Sequence, residues 1–221
     1  MAEVYRTYIP AAGHDWTLPL YDPLVRLLGG NSARAALVKQ AALQAGERVL
    51  EIGSGTGTLL MMIKRQHPDV TVTGLDPDPR ALARARRKAD AASMLIQLDR
   101  GFSDALPYPS GSFDCVFSCF MFHHLEQIND KEQTLREIRR VLKSRGRLAL
   151  LDFAPPTVNH SGLLAHWMHS SHLLRDNSES RMLSLIDAAG FVGGQTVRQS
   201  KLAGIFHTAY YQATVPEENH A

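Results

Sequence analysis

The feature that most constrains this chain is the run Val49-Leu50-Glu51-Ile52-Gly53-Ser54-Gly55-Thr56-Gly57-Thr58. A short apolar strand enters a turn with glycine at three alternate positions, and an apolar helix pattern follows over 58–66. Glycine has no Cβ, so such a turn bends sharply and lets a ligand approach main-chain N–H groups. A turn between the carboxyl end of a strand and the start of a helix is where open α/β sheets bind ligands. The dinucleotide pattern G-x-G-x-x-G needs glycine at 58, where threonine stands, and no Gly-Lys-Ser/Thr follows to make a P-loop. Asp76 closes the next β-branched run about 20 residues later, where a carboxylate can accept both hydroxyls of an adenosine ribose. Turn and carboxylate in one register point to an adenosine-type ligand.

The alternation continues on both sides of this turn. Residues 48–52, 70–75, 93–98, 113–120 and 147–153 read as strands, rich in apolar and β-branched side chains. Helix patterns cover 32–44, 58–66, 79–91 and the stretch from 129 that puts Leu135, Ile138, Val141 and Leu142 on one face. Ser32 is placed to cap the first helix, Pro79 to open the third, and Asn129 with Glu132 to form a capping box; Gly146 ends that last helix. Helices over 163–174 and 179–189 and strands near 195–201 and 207–215 complete the pattern. The expected fold is α/β, a Rossmann-like three-layer sandwich with a mainly parallel seven-stranded sheet and an antiparallel edge hairpin. We expect one domain over 1–221. It has an aromatic and helical cap at 1–45, a ligand-binding core at 46–153, an inserted helix at 154–178, and a closing helix with hairpin at 179–215.

Composition narrows the function classes. Hydrophobic residues make up 44% and charged residues 21%, with a net charge of +2, so there is no electrostatic case for nucleic acid or an anionic membrane. Arg84, Arg86, Arg87 and Lys88 read as the solvated face of one helix. Cys115 and Cys119 lie four residues apart in a strand, about 13 Å, too far for a disulfide or a shared metal. They are expected to be buried thiols, as in a reducing compartment. No segment has the length of a membrane span and the first residues lack a signal-peptide core, so the expected location is cytoplasmic.

The segments VLEIGSGTG, VTGLDPDP, ALPYPSGSFDCVFSCFMFHHL and EIRRVLKSRGRLALLDF, in that order, resemble the motif series of class I S-adenosylmethionine-dependent methyltransferases. The likeness is greatest to the small-molecule group that includes the ubiquinone/menaquinone-biosynthesis methyltransferases, and it covers residues 47–153. It implies S-adenosylmethionine as cofactor, S-adenosylhomocysteine as product, and a small-molecule methyl acceptor with an apolar or aromatic body. It further implies that Glu51 orients the methionyl amino group and that Gly53, Ser54, Gly55 and Gly57 line the methionyl moiety. Asp76 would grip the ribose, Pro77 would sit beside the adenine, and Ser118 would offer its backbone carbonyl to the amino group. The segment from Gly101 to Asp104 would cover the other side of the adenine. The family often has an acidic residue four positions before the Leu-Pro step; here that position is Phe102, which would pack on the adenine while Asp104 takes the polar contact.

His123 and His124 follow the fourth strand, where the transferable methyl would lie. Imidazole suits proton removal from an acceptor at neutral pH, or its orientation. The aromatic lead-in, with Tyr5, Tyr8, Trp16 and Tyr21, reads as a lid over an acceptor pocket. His166 and His169 in the inserted helix are further acceptor-lining candidates. With His172 they lack the Cys or Asp/Glu partners of a metal site, so no metal is expected. The alternatives are a nucleic-acid or protein methyltransferase and a non-catalytic nucleoside-binding protein on the same fold. Against the first, Ser-Cys-Phe-Met-Phe-His-His stands where amino-group nucleic-acid methyltransferases carry Asn/Asp-Pro-Pro-aromatic. A monomer or homodimer is expected.

Overall fold

The computed structural model describes residues 23, 25–125, 127–155 and 177–217. In chain order the elements are α1 (Gly30–Ala41), β1 (Arg48–Ile52), α2 (Thr58–Gln66), β2 (Thr71–Asp76), α3 (Pro79–Ala91), β3 (Gln97–Arg100) and β4 (Phe113–Cys119). A short 3₁₀ turn at Phe122–His124 follows. Then come α4 (Ile128–Val141), β5 (Leu142–Phe153), α5 (Glu179–Ala188), β6 (Val192–Leu202) and β7 (Phe206–Thr214).

The strands form one seven-stranded sheet in the order β3-β2-β1-β4-β5-β7-β6. The first five run parallel, β7 is antiparallel to β5, and β6 is antiparallel to β7. The expected mainly parallel sheet with an antiparallel edge hairpin is therefore what forms. β1, β2 and β4 are buried over nearly their whole length, because helices cover both faces of a parallel sheet and leave no solvated side. One apolar core joins Leu50, Ile52 and Val116 to Leu135 and Ile138 of α4 and Met182 of α5. The other joins Val49, Cys115 and Phe117 to Leu37 of α1 and Leu60 and Ile63 of α2. Strand order reverses between β1 and β4, and the loops at their carboxyl ends splay apart there to leave a crevice.

Several local expectations give way to tertiary packing. α1 starts at Gly30 with Gly29 as its N-cap, so Ser32 lies inside the helix, and it ends at Ala41 rather than 44. α4 starts at Ile128 with Gln127 at the cap position, so the Asn129–Glu132 capping box does not form. Its last residue is Val141, and Gly146 lies inside β5 rather than at a helix end. The third strand falls at Gln97–Arg100, later than the expected 93–98. α3 keeps its expected start: Pro79 follows Asp78, whose carboxylate accepts the Arg80 N–H at 2.8 Å. Lys88 does not belong to the solvated face, since its Nζ turns inward to the Thr56 carbonyl and the Thr58 hydroxyl, both at 3.0 Å. Both cysteines are buried free thiols.

Candidate active site

The crevice at the strand-order reversal is a cavity of about 550 Å³. Four segments wall it: the glycine turn (Gly53, Ser54, Gly55), the end of β2 (Asp76, Pro77), the loop after β3 (Gly101 to Asp104), and the loop after β4 (Phe120, Met121, His124). Glu51 and Arg34 line it from β1 and α1.

The three glycines of the turn all have positive φ, the left-handed region that disfavours a side chain, but their surroundings differ. A Cβ on Gly53 would lie 2.3 Å from Met121 Cγ, so this position lets the turn close against the β4 loop. A Cβ on Gly57 would meet that of Ala85 at 2.9 Å, which makes Gly57 the seat of α3 rather than a lining residue. At Gly55 nothing lies within 4 Å, so its main chain faces open space in the cavity wall.

Asp76 locks the turn. Its Oδ2 accepts the Gly55 N–H at 2.7 Å and its Oδ1 accepts the Asp78 N–H at 2.9 Å. Burial pushes its carboxyl up to about 6, against the pull of those two N–H donors. Glu51 is buried at the end of β1, and its Oε2 has no hydrogen-bond partner among the described residues. Burial holds its carboxyl well above the usual range; the charge of Arg34 is the largest opposing influence, and Asp76 raises it further. The Ser54 hydroxyl is likewise buried and unpartnered. Unsatisfied polar atoms in a cavity wall mark places where a ligand completes the bonding.

The Gly101 to Asp104 loop lines the cavity, with Phe102 and Asp104 both partly exposed in it. The Gly101 N–H bonds to the Asp76 carbonyl at 3.2 Å, and the Ser103 hydroxyl meets that of Thr134 at 3.0 Å. Ser118 is fully buried in β4 and its side chain does not reach the cavity.

The two adjacent histidines face different surroundings although their rings stack at 4.1 Å. His123 does not line the cavity. Buried Asp152, near the end of β5, holds it by two bonds: His123 N–H to Oδ2 at 3.0 Å, and His123 Nδ1 to Oδ1 at 2.7 Å. His124 lines the cavity, its Nδ1 is unpartnered, and burial followed by the neighbouring His123 pushes its pKa down to about 4. Phe120 adopts φ 56, a conformation rare for a bulky residue. It begins a ring cluster in which Phe153 lies 4.9 Å from Phe120, 5.0 Å from His123 and 6.3 Å from Phe206.

Tyr8, Trp16, Tyr21, His166 and His169 lie outside the described residues. Sequence reasoning passed over Arg34, Phe120 and Met121, and over Gln127 and Asp130 at the start of α4. The signal for Arg34 was available, since it interrupts the stripe Gly30, Ala33, Leu37, Val38, Ala41 at helical spacing.

Residues 49–146 match the family model of a methyltransferase domain. A demethylmenaquinone methyltransferase of Thermus thermophilus is 39% identical over 149 residues, which are 66% of this chain and 66% of that protein. The chain spans 57 to 66% of the length of the first curated relatives it matches. Among solved structures, the YcgJ protein from Bacillus subtilis superposes with a TM-score of 0.70 at 19% identity, covering 85% of this chain and 99% of that one. Haemonchus contortus phosphoethanolamine N-methyltransferase 2, in complex with S-adenosyl-L-methionine, gives 0.71 at 15% identity, covering 84% and 53%.

Proposed function

We propose that this chain, whose residues 49–146 match the methyltransferase-domain model, is an S-adenosylmethionine-dependent methyltransferase acting on a small molecule with an apolar or aromatic body. The observation that carries this reading is the cavity itself. A glycine turn with an open Gly55, a ribose-competent Asp76 and the unpartnered Glu51 and Ser54 share one cavity with His124 and Phe120, the first ring of the cluster.

The residues present fit S-adenosylmethionine. Asp76 has two carboxylate oxygens, each with a lone pair left after one backbone bond, enough for two ribose hydroxyls. Unpartnered Glu51 Oε2 and Ser54 Oγ match the polar methionyl tail, and Pro77 with Phe102 offers apolar surface to the adenine. When bound, S-adenosylmethionine supplies an electrophilic methyl on a sulfonium leaving group. The main work left to the protein is to position the acceptor and exclude water.

Asp76 also sets a pH dependence. Its carboxyl takes up a proton near pH 6 in the free protein, whereas ligand hydroxyls favour the ionised form. Affinity for S-adenosylhomocysteine is therefore expected to fall as pH drops from 7 to 5, and Asp76→Asn to flatten that part of the profile, both read by calorimetric titration. For stability the sign is opposite. The folded-state value lies above the ordinary 3.8, so this group's contribution is full below 3.8 and is lost as pH rises through about 6.

The Phe120–Phe153–Phe206 cluster supports an acceptor with a flat apolar ring, as does the name of the Thermus thermophilus relative. With Nδ1 donating to Asp152, His123 presents Nε2 as a lone pair; since it does not line the cofactor cavity, it suits proton removal from an acceptor seated beside that cavity, against the Phe153 ring. His124 is neutral at pH 7 and too weakly basic to hold that proton, so it orients the acceptor instead. Cover over the acceptor would come from Tyr8, Trp16, Tyr21, His166 and His169. His123→Ala and His124→Ala are each expected to keep S-adenosylhomocysteine affinity within about twofold while turnover drops about 100-fold. The assay is S-adenosylhomocysteine release with a panel of phenolic and quinol acceptors. Full turnover in both variants across pH would remove both histidines from the mechanism. No helix among the described residues is long and apolar enough to cross a membrane, and two buried free thiols support a place in the reducing cytoplasm.

A further inference from the structure

The core-facing stripe of α4 runs Lys131, Thr134, Leu135, Ile138 and Val141. Its first member is a lysine that is 1% exposed. Burying an ammonium is costly, and the N-terminal end of a helix disfavours a cation further. A methionine would fill the same place without either cost. Lys131 lies outside the residues that line the cavity, so the amine is not there for the cofactor.

Lys131 Nζ donates to Asn177 Oδ1 at 2.6 Å, and Asn177 is equally buried. Asn177 Nδ2 in turn donates to the Phe153 carbonyl at 3.3 Å. The Phe153 N–H donates to Asp152 Oδ1 at 2.7 Å, and the same oxygen accepts from His123 Nδ1 at 2.7 Å. A connected series of groups therefore runs from the ammonium on α4 to the imidazole after β4. An ammonium can only donate, so it decides which way the Asn177 amide points: Oδ1 faces Lys131, and Nδ2 is left for the Phe153 carbonyl. Its charge also polarises the amide and strengthens that second bond. Phe153 is the last residue of β5, where the sheet stops fixing the chain. The next residue, Ala154, is held from β7 by its N–H bond to the His207 carbonyl at 3.0 Å, and Asn177 holds Phe153 itself.

We propose that Lys131 is a positioning residue for the reaction. Through Asn177 it sets the Phe153 peptide, hence the Asp152 carboxylate, and hence the tautomer and direction of the His123 ring. This rests on the reading of His123 as the group that takes the acceptor's proton. It assigns to α4, away from both cofactor and acceptor, a residue on which turnover depends.

The test compares wild type with Lys131→Met and with the double variant Lys131→Met, Asn177→Leu. Two-bond proton–nitrogen NMR spectra read the tautomer of the His123 ring, its signals assigned by their loss in His123→Ala. Wild type is expected to carry the proton on Nδ1 alone. Both variants should populate both tautomers and turn over about tenfold more slowly, with S-adenosylhomocysteine affinity held within about twofold. The double variant strands fewer polar groups than Lys131→Met and should melt above it, yet its turnover should not recover. A lysine that only supports the fold would give turnover that rises with melting temperature and a His123 ring on one tautomer throughout, and that result overturns the proposal. Two tautomers with full turnover would leave Lys131 holding the ring but overturn its part in the reaction, together with the reading of His123 as proton acceptor. Lys131→Gln, which is shorter and accepts as well as donates, carries the comparison if the methionine variants do not fold, and both tautomers are expected there too.

Discussion

Replacing Asp76 by alanine is expected to weaken S-adenosylhomocysteine binding by about 100-fold, from two lost charge-assisted hydrogen bonds of about 1.5 kcal/mol each. The effect has two sources. The carboxylate is the proposed ribose grip, and it also fixes the glycine turn through the Gly55 N–H at 2.7 Å. Asp76→Asn separates them. An amide oxygen can still accept one of the two backbone bonds, but its NH₂ cannot accept a ribose hydroxyl. The asparagine variant should therefore melt above the alanine variant and still lose most of the affinity. Calorimetric titration and thermal melts read the two quantities, and unchanged affinity in both variants would remove Asp76 from the ribose site.

Asp152→Ala is expected to damage fold and turnover together. The carboxylate is 1% exposed and accepts three N–H donors: His123 N at 3.0 Å, His123 Nδ1 at 2.7 Å and Phe153 N at 2.7 Å. Its removal strands those donors, at about 1 kcal/mol or more each, for a total near 3 kcal/mol. For a domain of this size that lowers Tm by about 6–12 °C. It also frees the His123 ring from the tautomer and orientation that leave Nε2 as the acceptor. Asp152→Asn keeps the shape and part of the bonding, so its melting loss should be well below that of alanine while its turnover loss is similar. A folded Asp152→Asn with full turnover would show that the Asp152–His123 pair serves the loop and not the reaction.

What the chain reveals in one dimension is what is local or in strict order. The strand, the glycine turn, α2 and Asp76 follow one another in sequence, and the backbone bond from Gly55 to Asp76 joins two segments the pattern already paired. The sheet followed from strands and helices alternating at βαβ spacing. Other features depend on packing across the molecule. Gly57 looked like part of the ligand cradle, yet its missing side chain makes room for Ala85 on α3. Lys88 looked solvated, yet it reaches back more than 30 residues to brace the turn. The two histidines are equivalent in sequence, and only Asp152 on a neighbouring strand separates their roles. Arg34 was hidden because its helix precedes the motif series and reaches the cavity only through tertiary packing, although a charge in an apolar stripe was there to be read.

The measurement that tests the central claim most directly is calorimetric titration of the folded protein with S-adenosylmethionine and S-adenosylhomocysteine at pH 7. The account predicts saturable binding of both at one site per chain, weakened by Asp76→Ala. A folded protein that binds neither would contradict it, and every role assigned to the cavity would fall with that result.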